Sequence, residues 1–243
     1  MDAFIQSLRL STSRFSDAVR RGPLDAPVAA CPEWTLIVLA NHMGFIHRWA
    51  RLAALTGAPP DQAAIEPPPA TDDRDVVADW IDAGADALIP VLTALDPSAP
   101  TWHPFPVPKV AGVWPRRQAH ETQVHAWDAE RAVGPTSPLD PDIAADGIAE
   151  YFEIIVPRIL KRDGRTAPLS SMTIDCVDTD FRLIVGSPDG VTVQVQRSTG
   201  GGDAQSPLLW GGAEHILLSL WGRADLPPQR DTVTSEWLAF GGN

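Results

Sequence analysis

Up to Gly164 the apolar positions of the chain recur every three to four residues; beyond it they alternate with polar ones. Phe4, Ile5, Leu8, Phe15 and Val19 predict a first helix over residues 2–20, ended by Arg20-Arg21-Gly22-Pro23. A second is expected from Leu36 to Thr56, with Thr35 as candidate N-cap and Gly57 as its stop. Asp72-Asp73 open a third, where negative charge suits the positive end of the helix dipole. It carries Val76, Val77, Trp80, Ile81, Leu88 and Leu92. Gly84 shares a face with Trp80 and Leu88 and offers a place where another helix can come close. Pro90 lies inside this pattern and predicts a kink or break. A fourth helix is expected from Arg116 to Val133, between Pro115 and Gly134-Pro135, and a fifth from Pro141 to Lys161, disturbed by Pro157.

After Gly164 the texture is that of strands: residues 172–177, 181–185 and 191–196, with the turn residues Ser187-Pro188-Asp189-Gly190 before the last. Residues 207–222 and 233–240 read as helices. Thr199–Asp203 is rich in glycine but lacks the strand–helix setting of a phosphate loop, so it reads as a turn. The proline-rich stretch 99–114 reads as loop, with room for a β-ribbon over 102–113. The fold class expected is α+β: a helical bundle over residues 1–164 followed by a small α+β domain over 165–243.

Composition removes several function classes. Hydrophobic residues make up 44% of 243 and charged ones 21%, which suits a globular chain rather than a disordered one. The net charge is −12 and the only lysines are Lys109 and Lys161. No basic stripe is available to follow a phosphate backbone, so no nucleic-acid partner is expected. The apolar runs are too short for a membrane span, and residues 1–20 carry charges where a secretory leader would be apolar. A cytoplasmic protein, monomer or homodimer, follows as the expectation. Cys31 and Cys176 are then expected as reduced thiols.

Four of the six histidines, His42, His47, His120 and His125, fall on the second and fourth helices. Glu121 and His125 are four residues apart, about 40° around a helix, so both can reach one cation. His120 is five residues from His125, one too many for the HExxH pattern of zinc proteases. A third ligand has to come from another helix. His42 and His47 are about 140° apart on the second helix and cannot face the same point. His42 continues the buried face of Leu36, Leu39 and Met43, whereas His47 lies beside Arg48, nearer a polar face. His42 is therefore the better candidate. By spacing alone, a histidine on an apolar face is more often a hydrogen-bonded core residue, and a Glu/His pair four apart is often a surface pair. Two histidines and one glutamate would leave a coordination position open, as in catalytic rather than structural zinc sites. Spacing does not separate zinc from nickel, iron or manganese.

Three stretches carry a resemblance. They are Cys31-Pro32-Glu33-Trp34-Thr35 with Leu39-Ala40-Asn41-His42-Met43-Gly44 and His47-Arg48-Trp49; Arg116 to Glu130, around His120-Glu121-Thr122-Gln123-Val124-His125; and Glu214 to Arg223. Together they resemble mycothiol-dependent maleylpyruvate isomerase-like proteins, within the DinB-like four-helix-bundle superfamily. The resemblance implies an N-terminal DinB-like four-helix bundle, with His42, Glu121 and His125 as ligands of a divalent metal, usually zinc (Zn2+). It further implies mycothiol as a thiol cosubstrate, added to a small electrophile in a cis–trans isomerisation or an S-transfer. Glu33 and Asn41 depart from the residues usual in such sequences.

Further candidates surround this set. Asp128 is placed to accept a hydrogen bond from a ligand imidazole. Arg48, Arg116 and Arg117 have the fork geometry to bind a substrate carboxylate. Trp49 and Trp127 could line a pocket, and His103, with Trp102 and Phe105, lies in a loop that could close over one. A metal-dependent hydrolase or lyase without a thiol, and a metal-binding module without catalysis, stay open as alternatives.

Overall fold

The computed structural model describes residues 1–198, 208–227 and 232–240; the glycine-rich stretch 199–203, read as a turn, falls outside them. The chain divides into two compact units, residues 1–104 with 108–138, and residues 105–107 with 139–243.

The first unit is a bundle of four helices: α1 (Asp2–Arg21), α2 (Leu36–Thr56), α3 (Arg74–Ala94) and α4 (Val113–Val133). Helix α1 packs on α3 and α4, and α2 packs on the same two. Phe15, Val19, Leu36, Leu39, Met43, Val77, Ile81 and Ala129 fill the space between them. The ends are set by local chemistry. Asp73 caps α3 by accepting from the amides of Asp75 and Val76. Gly57 ends α2 in the left-handed region at φ 63°, where a side chain would be strained. Thr35 is the N-cap residue of α2, but its hydroxyl makes no capping bond there. Helix α4 begins three residues earlier than expected, because Pro115 is tolerated in a first turn that needs no amide partner. Helix α3 runs to Ala94 with Pro90 inside it, rather than breaking there. The β-ribbon expected in the loop after α3 reduces to one bridge, Pro100 to Val110.

Two glycines set the spacing of α2 and α3. A methyl on Gly44 would overlap the ring of Trp80, and one on Gly84 would meet Arg48 and the Cβ of His47. Gly84 is thus the close approach that its position on the Trp80/Leu88 face predicted. On the opposite side Arg14 of α1 donates from Nε and Nη2 to the Glu130 carboxylate of α4, at 3.0 and 2.8 Å. Glu130 also accepts the amide and hydroxyl of Ser137, which fixes the chain as it leaves α4.

The second unit holds α5 (Pro141–Glu150), α6 (Val156–Asp163), α7 (Ala213–Leu220), α8 (Thr232–Leu238) and a four-stranded sheet. The helix expected over 141–161 is present, but a π-turn at Tyr151–Ile155 divides it. The wider turn comes just before Pro157, which has no amide to give to a regular ladder. This helix packs on α7, so the contact boundary falls after Pro138 and not at residue 165. The sheet has strands β1 (Met172–Cys176), β2 (Arg182–Gly186), β3 (Gln194–Ser198) and β4 (Leu208–Gly211) in the order β3-β2-β1-β4. β4 alone runs parallel to its neighbour, β1. One face of the sheet is buried through Met172, Ile174, Cys176, Leu183, Val185 and Leu209.

Two boundaries differ from the sequence reading. Residues 208–211 form β4, and helix α7 starts only after Gly211-Gly212; a short apolar run does not distinguish strand from helix by period. Strand β3 begins at Gln194 rather than Val191, because the Asp189 carboxylate holds the amides of Val191 and Thr192 in a turn.

Adding a methyl at Gly44 overpacks the α2–α3 contact. Gly44→Ala is expected to lower stability by about 1–3 kcal/mol despite alanine's better helix propensity, read as a fall in the urea midpoint. His47 gives the bundle a pH dependence. It is fully buried, and burial, then the neighbouring Arg48, push its imidazole down to about 4. Above the unfolded value of about 6.5 the stability is complete; below it the unfolded chain takes up the proton first. Stability is therefore lost as pH falls from about 6.5 toward the folded value, by about 2 kcal/mol at pH ~5 from this group. Denaturant titrations across that range should show the slope, and His47→Gln should flatten it.

Candidate metal centre

Helices α2 and α4 bring three of the predicted residues together. His42 Nε2 lies 3.2 Å from Glu121 Oε1, and His125 Nε2 lies 3.5 Å from the same oxygen. One ligand atom from each of the three falls within 4.8 Å of the others. Tetrahedral zinc with bonds of about 2.0–2.1 Å separates its ligand atoms by about 3.3 Å. The two contacts to Glu121 are close to that spacing, so the donor set fits a small divalent ion.

His125 is held from behind. Its Nδ1 lies 3.0 Å from Oδ2 of Asp128, whose side chain is only 1% exposed. An ionised carboxylate only accepts, so Nδ1 carries the proton and the Nε2 lone pair faces Glu121. His42 is also a neutral donor: burial, then His125 and Arg117, push its imidazole down to about 4. Exposure across the cluster runs from 29% for the His42 side chain to 13% for His125 and 1% for Asp128. The cluster therefore opens to solvent on its His42 side.

Two neighbours complete it. Arg117, one turn before Glu121 on α4 and itself buried, donates from Nη2 to Glu121 Oε2. Trp34 stands against both imidazoles, 5.0 Å from His42 between ring centres and stacked at 25° on His125 at 6.3 Å. The loop before α2 aims it there: Val28 donates to the Trp34 carbonyl, Trp34 to that of Cys31, and Leu36 to that of Ala26. Sequence reading missed Trp34 as a neighbour of the site, because its distance from His42 depends on that loop. The sequence offers Arg117 as a substrate ligand, although its spacing of four from Glu121 is a signal for a pair on one helix face.

Other candidates lie elsewhere. His47 is buried rather than near a polar face, and its Nε2 is 3.0 Å from the Thr122 hydroxyl. His120 faces α1, edge-on to Phe4 at 5.7 Å. Arg48 lies on the α3 side of α2, where it donates to Glu66 and to the carbonyls of Gly44 and Trp80 and covers the Trp80 ring at 4.2 Å. Arg116 is half-buried in the first turn of α4. Trp49 joins Trp102 and Trp114 in an edge-to-face cluster, and His103 sits against Trp114 while bonded to the Pro108 carbonyl. Cys31 and Cys176 form no disulfide with each other. Among the described residues no helix is long and apolar enough to cross a membrane.

The family model described as the mycothiol maleylpyruvate isomerase N-terminal domain matches residues 8–130, just over half of the chain and nearly all of the four-helix unit. No curated protein and no solved structure matches.

Proposed function

The chain belongs to the mycothiol maleylpyruvate isomerase N-terminal domain family, and we propose that it is a divalent-metal-dependent enzyme that activates a low-molecular-weight thiol against a small electrophile. The observation that carries this reading is the convergence of His42, Glu121 and His125 inside the matched segment. The metal is proposed as zinc, the thiol as mycothiol, and the reaction as cis–trans isomerisation or S-transfer.

A divalent ion held by the two Nε2 atoms and Glu121 Oε1 would supply Lewis acidity, lowering the pKa of a thiol that enters the remaining position. The chain's own residues prepare that position. Asp128 fixes the His125 tautomer, so that no proton blocks Nε2. Neutral His42 adds a donor without adding charge. Trp34 walls off one side of both imidazoles, which leaves approach from the solvent side of His42. Addition of the thiol sulfur to an activated alkene converts the double bond to a single bond. The π electrons move onto the activating group; rotation and their return, with expulsion of the same thiolate, give the geometric isomer, and uptake of a proton at carbon with the C–S bond kept gives a thioether.

The decisive test measures bound metal, then turnover of a panel of activated alkenes with mycothiol present and absent. Turnover that requires both is expected; turnover indifferent to the thiol would move the reading to a hydrolase or lyase on this scaffold. His125→Ala should lose the metal and the activity together, and full activity without metal would overturn the mechanism. Asp128→Asn should weaken metal binding by about 10–100-fold while the fold is kept, read by competition with a chromogenic chelator.

A further inference from the structure

The two oxygens of the Glu121 carboxylate have different partners. Oε1 faces His42 and His125 at 3.2 and 3.5 Å, whereas Oε2 receives Nη2 of Arg117. From this division we infer that Arg117 is a positioning residue: it restricts Glu121 to one ligating oxygen and so keeps a coordination position open for an outside ligand. The inference rests on the metal reading above and adds to it the device that sets the coordination number.

The geometry leaves Arg117 little freedom. It sits four residues before Glu121 on α4, so the two side chains lie one above the other on a single face. Its side chain is 8% exposed and cannot trade Glu121 for bulk water. The partner Glu121 is 18% exposed, so the pair is poorly screened. A carboxylate that chelates a cation brings both oxygens to it, at about 2.0–2.2 Å each. A cation that drew in Oε2 would then share that oxygen with a guanidinium and meet its positive charge at short range. Held apart in this way, the protein offers three ligand atoms to an ion that takes four. Without Arg117, the second oxygen is free to fill the fourth position, and the site moves toward the closed, structural kind.

Cobalt(II) in place of the native ion makes the coordination visible. The parent protein loaded with Co2+ is expected to show the intense visible bands of a four-coordinate site. It should also develop a sulfur-to-metal charge-transfer band when 2-mercaptoethanol is added. Arg117→Met should show shifted visible bands and take up the thiol at least about tenfold less tightly, while Arg117→Lys, which keeps one charged donor, should stay near the parent. Superimposable spectra and equal thiol titrations for the parent and Arg117→Met would overturn the inference. A second measurement needs no variant. In the metal-loaded minus metal-free infrared difference spectrum of the parent, a wide splitting of the carboxylate stretches marks one-oxygen binding and supports the inference; a narrow, chelating splitting overturns it. A parent that takes up no Co2+ would instead fail the metal reading itself, and the inference with it.

Discussion

Helices α2 and α4 meet along a seam in which residue numbers run in opposite directions. Trp49 touches Trp114 at one level, and two turns away His42 faces Glu121 and His125. The steps from His42 to Trp49 and from Trp114 to Glu121 are both seven residues, about 10 Å of helix. Any slip of α2 along α4 by one turn, about 5.4 Å, would part every one of these contacts at once. The site therefore depends on how the far sides of the two helices are fixed. On α2 the fixing is steric: Gly44 admits Trp80, and Gly84 of α3 admits His47 and Arg48. On α4 it is electrostatic, through the Arg14–Glu130 pair to α1. Neither contact touches the cluster, yet both decide whether its three ligand atoms converge.

Charge is managed locally in a strongly acidic chain. Burying an ionised group is costly unless it is paired. In the cluster each carboxylate has a partner that also aims it: Arg117 for Glu121 and His125 for Asp128. The His42 imidazole stays neutral because burial, then His125 and Arg117, oppose its protonation. Pairing and aiming are done by the same bonds, so the contacts that stabilise these carboxylates also orient them.

Much of this was legible because it is periodic. The spacing of four between Glu121 and His125 implies a shared face, the spacing of five between His120 and His125 excludes the protease pattern, and the structure puts His120 against Phe4 accordingly. The start of α3 at Asp73 and the stop of α2 at Gly57 follow from single residues. What was not legible depends on partners distant in sequence. His47 looked polar beside Arg48, but the approach allowed by Gly84 buries it. Trp34 reaches the imidazoles only because a loop of backbone bonds turns it toward them. Leu208–Gly211 became a strand because β1 offers it an edge, which no local pattern records. The helix after Pro141 reads as part of the bundle by its period, but its apolar face is taken by α7.

The chain's own cysteines bear on the source of the thiol in the proposed reaction. A thiol is reactive as its thiolate, so a site that activates one must either contain it or admit it. Cys176 is buried in β1, and burial, then Asp178 and Asp175, push its thiol up to about 12. It stays protonated and is not the nucleophilic form. Cys31 is closer in sequence to Trp34, but its backbone closes the turn that aims the indole, and its sulfur is not among the converging donor atoms. A nucleophilic thiol at this centre would therefore be a molecule from solution. The gradient of exposure across the cluster agrees with that requirement: the buried Asp128 end fixes the donors, and the half-open His42 end is where a small thiol could enter.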